Sequence, residues 1–165
     1  MEDFGVRFQV DDASRFDSLR KLFYELKKDK DGEAFRDPGE WVGLVPDEAK
    51  AHFSWPTPQE REEWLRRRRS TSIFIPDPSE QLSAQWDFFR VFETVEEGEY
   101  GLLSCEMTDG TTAEMHIDPW SYPYGGVGPF IALAEAFGFR VVGLNEYGEY
   151  QSREELLAKR TPRKP

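Results

Sequence analysis

The sequence predicts an α+β domain, a mainly antiparallel sheet with helices packed on one face. Three observations predict it. Asp109-Gly110 sits between two strand-like runs and is the strongest short hairpin signal in the chain. Phe16, Leu19, Leu22, Phe23 and Leu26 form an apolar stripe at helical spacing. Thr57-Pro58-Gln59-Glu60 and Ser152-Arg153-Glu154-Glu155 are capping boxes that open helices.

The elements follow in order. Phe4–Val10 reads as a strand. Asp11 or Asp12 then caps a helix over 12–28, with Asp17 and Lys21 able to pair on its wet face. "KKDKDGEAFRDPGE" is a polar loop. Trp41–Val45 reads as a short strand, and Pro46 can start one helical turn. The first capping box opens a helix over 57–69, with Trp64 and Leu65 facing inward. "STSIFI" after it reads as a strand ended by Pro76.

Residues 79–95 fit two patterns. Leu82, Trp86, Phe89 and Phe92 suit a helix. The density of aromatic and β-branched residues, with Gly98 as a turn just beyond, favours a strand over 86–95. Strands over 99–108 and 111–117 complete a run of hairpins. A helix over 127–137 follows, with Gly128 as N-cap, Pro129 at its first position and Gly138 as C-cap. A strand over 139–144 and a short C-terminal helix finish the chain.

A two-residue Asp109-Gly110 loop sets a register. Cys105 then faces Glu114, Leu103 faces His116, and Arg90 on the preceding strand faces Cys105. Neither face comes out cleanly polar. Either both faces are partly covered, or a β-bulge flips part of one strand.

The length of 165 residues fits one domain, here 1–160 with a frayed basic tail at 161–165. Aromatic residues make up 15% of the chain, enough for a large core despite the polar average. A lone cysteine, Cys105, excludes an intrachain disulfide and favours a reducing compartment. The N-terminus has no signal-peptide pattern, and no apolar run reaches the ~20 residues that span a membrane. The expected localisation is cytoplasmic. The net charge of −11 repels nucleic acid and anionic membranes and attracts a basic protein partner.

Two regions carry candidate chemistry. Glu114, His116 and Asp118 alternate along one strand and so share a face. A carboxylate beside a histidine can orient it as a general base or a metal ligand. The only other histidine, His52, is distant in sequence, so no metal and no cofactor is expected. The loop Trp120-Ser121-Tyr122-Pro123-Tyr124-Gly125-Gly126 joins a strand to a helix. Its Gly125 and Gly126 and the following amides could hold an anion. The loop lacks any cation and is flanked by Asp118, which favours Trp120, Tyr122 and Tyr124 as anchors for a protein partner.

Other features are bland. Arg66–Arg69 end a helix, where cations suit the dipole. Cys105 reads as a buried strand cysteine. A Ser–His–Asp set from Ser104 or Ser121 with His116 and Asp118 has no local support. The chain has no GxSxG, HExxH or P-loop pattern. The expected function is a small acidic protein-binding module, possible in an inhibitor or immunity-type role, more in keeping with binding than with catalysis. The alternative is a small-ligand or metal-binding protein, or an enzyme, using the 114–128 region.

Overall fold

The computed structural model describes residues 4–32, 34–70, 82, 84–120, 126–146 and 148–158, excluding the side chains of 64, 65 and 67–70. The strand expected at 70–75 and the inward Trp64 and Leu65 lie outside that description, as does the basic tail.

Among the described residues five antiparallel strands form one sheet: β1 Phe4–Gln9, β2 Tyr100–Met107, β3 Thr112–Pro119, β4 Arg140–Glu146 and β5 Glu149–Ser152, in the order β2-β3-β1-β4-β5. The helices are α1 Ala13–Asp31, α2 Pro38–Trp41, α3 Asp47–Lys50, α4 Pro58–Ser70, α5 Phe88–Glu97, α6 Gly128–Ala136 and α7 Arg153–Ala158. The α+β class is therefore as the sequence predicts.

Helix α1 starts where Asp12 accepts from the Arg15 amide, and it buries the whole predicted stripe from Phe16 to Leu26. It runs along the edge strand β2 and closes part of that edge. The Tyr24 hydroxyl accepts from the Cys105 amide at 3.3 Å and donates to Glu106 at 2.7 Å. An edge amide so occupied is a poor template for another strand. At both predicted capping boxes the N-cap hydroxyl is engaged: the Glu60 amide donates to Thr57 and the Glu155 amide to Ser152.

Helix α6 is the centre of the fold. Of its nine residues all but Glu135 are buried, the signature of a helix covered on every side. It packs against β4 and β1 on one side and against α5 and α3 on the other. Phe130 touches the rings of Phe23 and Tyr100. Its N-cap is Val127, with Gly128 as the first helical residue, one position earlier than the sequence suggests. Gly138 adopts the expected positive φ at its C-terminal end.

Residues 86–95, expected as a strand, form helix α5 instead. Phe88, Val91, Phe92 and Val95 are buried, a spacing of three, four and seven that only a helix can turn to one side. Asp87 accepts from the Phe89 amide at the N-cap, and Gly98 ends the helix rather than making a hairpin turn. The aromatic and β-branched content that suggested a strand serves packing. Trp41 stacks on Phe92 at 5.1 Å and Trp55 on Phe88 at 4.5 Å. Trp41 itself ends α2, and 42–45 turn rather than extend, so the strand expected at 41–45 is absent. Pro46 does open a helical turn, α3. Arg90 belongs to α5 and does not face Cys105.

The β2–β3 register also departs from expectation. The Asp109 carboxylate accepts from the amides of Thr111 and Thr112, and the Thr108 amide donates to the Thr112 carbonyl. The loop is thus one residue longer than a two-residue turn. Cys105 faces Met115, and Ser104 faces His116. A bulge at Leu103 then absorbs the extra residue, so Leu102 pairs with Ile117. A second irregularity between Arg7 and Phe8 leaves Val142 unpaired with β1. Of the two explanations open from sequence, the bulge is realised. It puts Tyr100, Leu102, Cys105, Ala113, Met115 and Ile117 in the core.

Two outcomes are expected. Replacing Phe92 with alanine in urea titrations should lower stability by about 3–5 kcal/mol, the usual cost of deleting a fully buried ring. A surface-strand Phe would lose far less. Burial pushes the Cys105 thiol up to about 12. Folded protein should therefore resist a thiol reagent at mildly alkaline pH and react once when denatured.

Candidate functional site

The described helices cover one face of the sheet, and the other face presents polar residues and glycines. On this second face the registers bring together Glu114 opposite Arg7, His116 opposite Gly5, and Asn145 on the far side of Gly5. Asp118 lies two residues further along β3, opposite Gly101. The expectation that Glu114, His116 and Asp118 share a face is met in space.

Glu114 organises the group. Its side chain is almost buried, and its carboxylate receives the Arg7 guanidinium on one oxygen and His116 Nε2 at 2.7 Å on the other. Burial alone would lower the Arg7 pKa, but the hydrogen bond and charge of Glu114 raise it above the ordinary arginine value. Arg7 lies over the Tyr150 ring, 4.7 Å from its centroid. The chain Tyr150–Arg7–Glu114–His116 thus crosses from β5 to β3.

Both nitrogens of His116 face protein. Nε2 is committed to Glu114. Nδ1 is buried with no hydrogen-bond partner and faces Gly5, where a Cβ would lie 3.5 Å away. The glycine lets the imidazole lie against β1 and in doing so shields the second nitrogen. Among the described residues no three His, Cys, Asp or Glu side chains could hold one metal ion. His52 lies among the helices and does not approach His116.

The other half of the expected site divides. Tyr122, Tyr124 and Gly125 lie outside the described residues. Gly126 takes φ +81 and is buried, as are Val127, Gly128 and Pro129. The amides at the start of α6 are therefore enclosed by protein and do not form an open anion cradle. Trp120 is 59% exposed. Its ring rests on Gly101, where a Cβ would come within 3.3 Å. Lys30 from α1 stands 5.2 Å from the Trp120 ring centroid and donates to the Gly98 carbonyl at 2.7 Å.

Sequence reasoning missed two members of this face. Arg7 stands between Val6 and Phe8, so strand alternation alone places it outward. Tyr150 belongs to β5, which was not anticipated. Gly148 at φ +76 makes the turn that pairs Glu146 with Glu149, and that glycine was the available signal. Tyr150 is 45% exposed and covers Gly143, where any Cβ would collide with its ring.

Of the basic run, Arg66 is exposed. Arg61, earlier on the same helix, pairs with Glu93 and with Asp87 at 3.5 Å and ties α4 to α5. No helix among the described residues is long and apolar enough to cross a membrane. Comparison of the chain with protein-family models, curated proteins and solved structures finds no match.

The geometry separates two neighbouring carboxylates. Glu114→Gln removes the charge that holds Arg7 and His116 and should cost about 1–3 kcal/mol in urea unfolding. Asp118→Asn should stay within about 0.5 kcal/mol of the parent. Equal losses at both positions would contradict the central role of Glu114.

Proposed function

We propose that the chain is a protein-binding module that docks a partner onto the sheet face left uncovered by the described helices. The observation that carries this reading is the pair of exposed rings, Trp120 and Tyr150, each lying over a glycine of that face. Large rings held in place by backbone lose little freedom when a partner covers them, and Trp and Tyr are frequent interface anchors. Between them lies a floor of His116, Gly5, Arg7 and Asn145, polar and already ordered by Glu114. Tyr122 and Tyr124, next to Trp120 in sequence, extend the proposed contact.

The partner's expected surface is basic. The chain carries 32 acidic side chains against 21 Lys and Arg, which would speed encounter with a cationic partner. An inhibitor or immunity-type role in the cytoplasm suits such a module, and the single buried cysteine is compatible with a reducing compartment. The pairing of His116 with Glu114, and the burial of Nδ1, weigh against the alternative that this face catalyses a reaction or holds a metal.

The test is a comparison of baits. Wild type should retain a partner from its host's extract at low salt and release it as salt rises. Trp120→Ala combined with Tyr150→Ala should lose that partner at unchanged fold. Leu44→Ala, which trims an equally exposed residue away from the sheet, should keep it. Retention by the double variant, or loss by Leu44→Ala alone, would remove the sheet face from the reading.

A further inference from the structure

The helical side of the molecule carries a second feature, unrelated to the sheet face. Two adjoining hollows, of 520 and 330 Å³, wrap around the C-terminal end of α6 and share His52, Ala136 and Gly138. The larger is within the usual range of small-molecule sites, about 300–1,000 Å³. Arg140, Arg153 and His52 line it together with Trp86 and Phe139. Arg15 lines the smaller one, and its guanidinium lies over Gly138, where a Cβ would sit 2.8 Å from Nη1.

The charge here runs against the rest of the chain. Three arginines and a histidine meet only two acids in the linings, Glu48 and Glu135. The arginines come from three separate elements: the first turn of α1, the start of β4 and the start of α7. Compensation of the α6 carbonyl end does not require them. The Leu133, Ala134 and Glu135 carbonyls already accept from the amides of Phe137, Phe139 and Gly138, so the helix closes on its own backbone. Arg140 has no ion pair among the described residues. Arg15 has one long contact, 3.7 Å to Asp12. Arg153 donates Nη1 to the Val141 carbonyl at 3.0 Å, which holds its guanidinium beside the hollow.

We propose that this cleft binds a small organic anion, a carboxylate or phosphate attached to an aromatic or aliphatic body. Arg140 receives the charge, Arg153, His52 and Arg15 add positive potential around it, and Trp86 and Phe139 receive the apolar part. Guanidinium groups suit both anions because their fork of donors matches two oxygens at once. The acidic remainder of the chain opposes anions at long range. Selectivity therefore rests on contact inside the cleft and on the apolar wall.

The full chain is titrated with phenyl phosphate, benzoate and inorganic phosphate at matched ionic strength, followed by amide and indole NMR. An aryl anion should saturate at millimolar concentration or below and shift Gly138, Arg140 and the Trp86 indole. It should bind about tenfold more tightly than inorganic phosphate, because only it engages the apolar wall. Arg140→Glu should weaken it by at least about tenfold, and the charge-neutral Arg140→Gln keeps the test usable should reversal harm folding. Glu135→Gln should tighten binding, and Trp120→Ala should leave it unchanged. Absence of saturation, shifts confined to other residues, equal affinity for inorganic phosphate, or indifference to both Arg140 variants would each overturn the proposal.

Discussion

Everything in this fold is arranged around the burial of α6. A nine-residue helix of the composition GPFIALAEA has no wet side, so it must be enclosed, and one sheet face can cover only half of it. The other half is covered by α5 and α3, with α2 packed behind through the Trp41–Phe92 stack. Each large side chain so enclosed contributes roughly 1.5–3 kcal/mol. This constraint explains why 88–97 must be helical. A strand there would show Phe88 and Val91 on opposite sides, and the outer face of α6 would meet water.

The same constraint divides the sheet. Once the apolar face is committed to the helices, residues alternating with Val6, Met115 and Leu144 must face the other way. These are Arg7, Gly5, Glu114, His116 and Asn145. That face is not simply solvated. Glu114 draws Arg7 and His116 together, Arg7 carries Tyr150, and glycines let the rings of Trp120 and Tyr150 lie against backbone. The result is an ordered polar surface with exposed aromatic corners.

Some of this was legible from local signals. The α1 stripe, the N-caps Thr57 and Ser152, the Gly138 C-cap and the alternation of Glu114, His116 and Asp118 each depend on residues within a few positions of one another. Local chemistry decides them, and the structure agrees. Helix α5 was misread because Phe and Val weigh toward strands, while the spacing of Phe88, Val91, Phe92 and Val95 weighs toward a helix. Only the partner surface of α6 decides between the two. The Asp109 hairpin was misplaced by one residue because the carboxylate bonds to Thr111 and Thr112, adding a residue to the loop. The bulge at Leu103 then restored the pairing further along.

The sequence by itself determined the α+β class, the faces of α1 and β3, and the acidic charge, since these follow from periodicity and composition. Tertiary structure alone decided what those faces do. It brought Arg7 and Tyr150 to Glu114 from strands distant in sequence, closed His116 Nδ1 against Gly5, and buried Gly126 just before α6. It also gathered Arg15, Arg140 and Arg153 at the far end of that helix. Distance along the chain hides such meetings, because a strand's neighbour is chosen by the core it helps to cover.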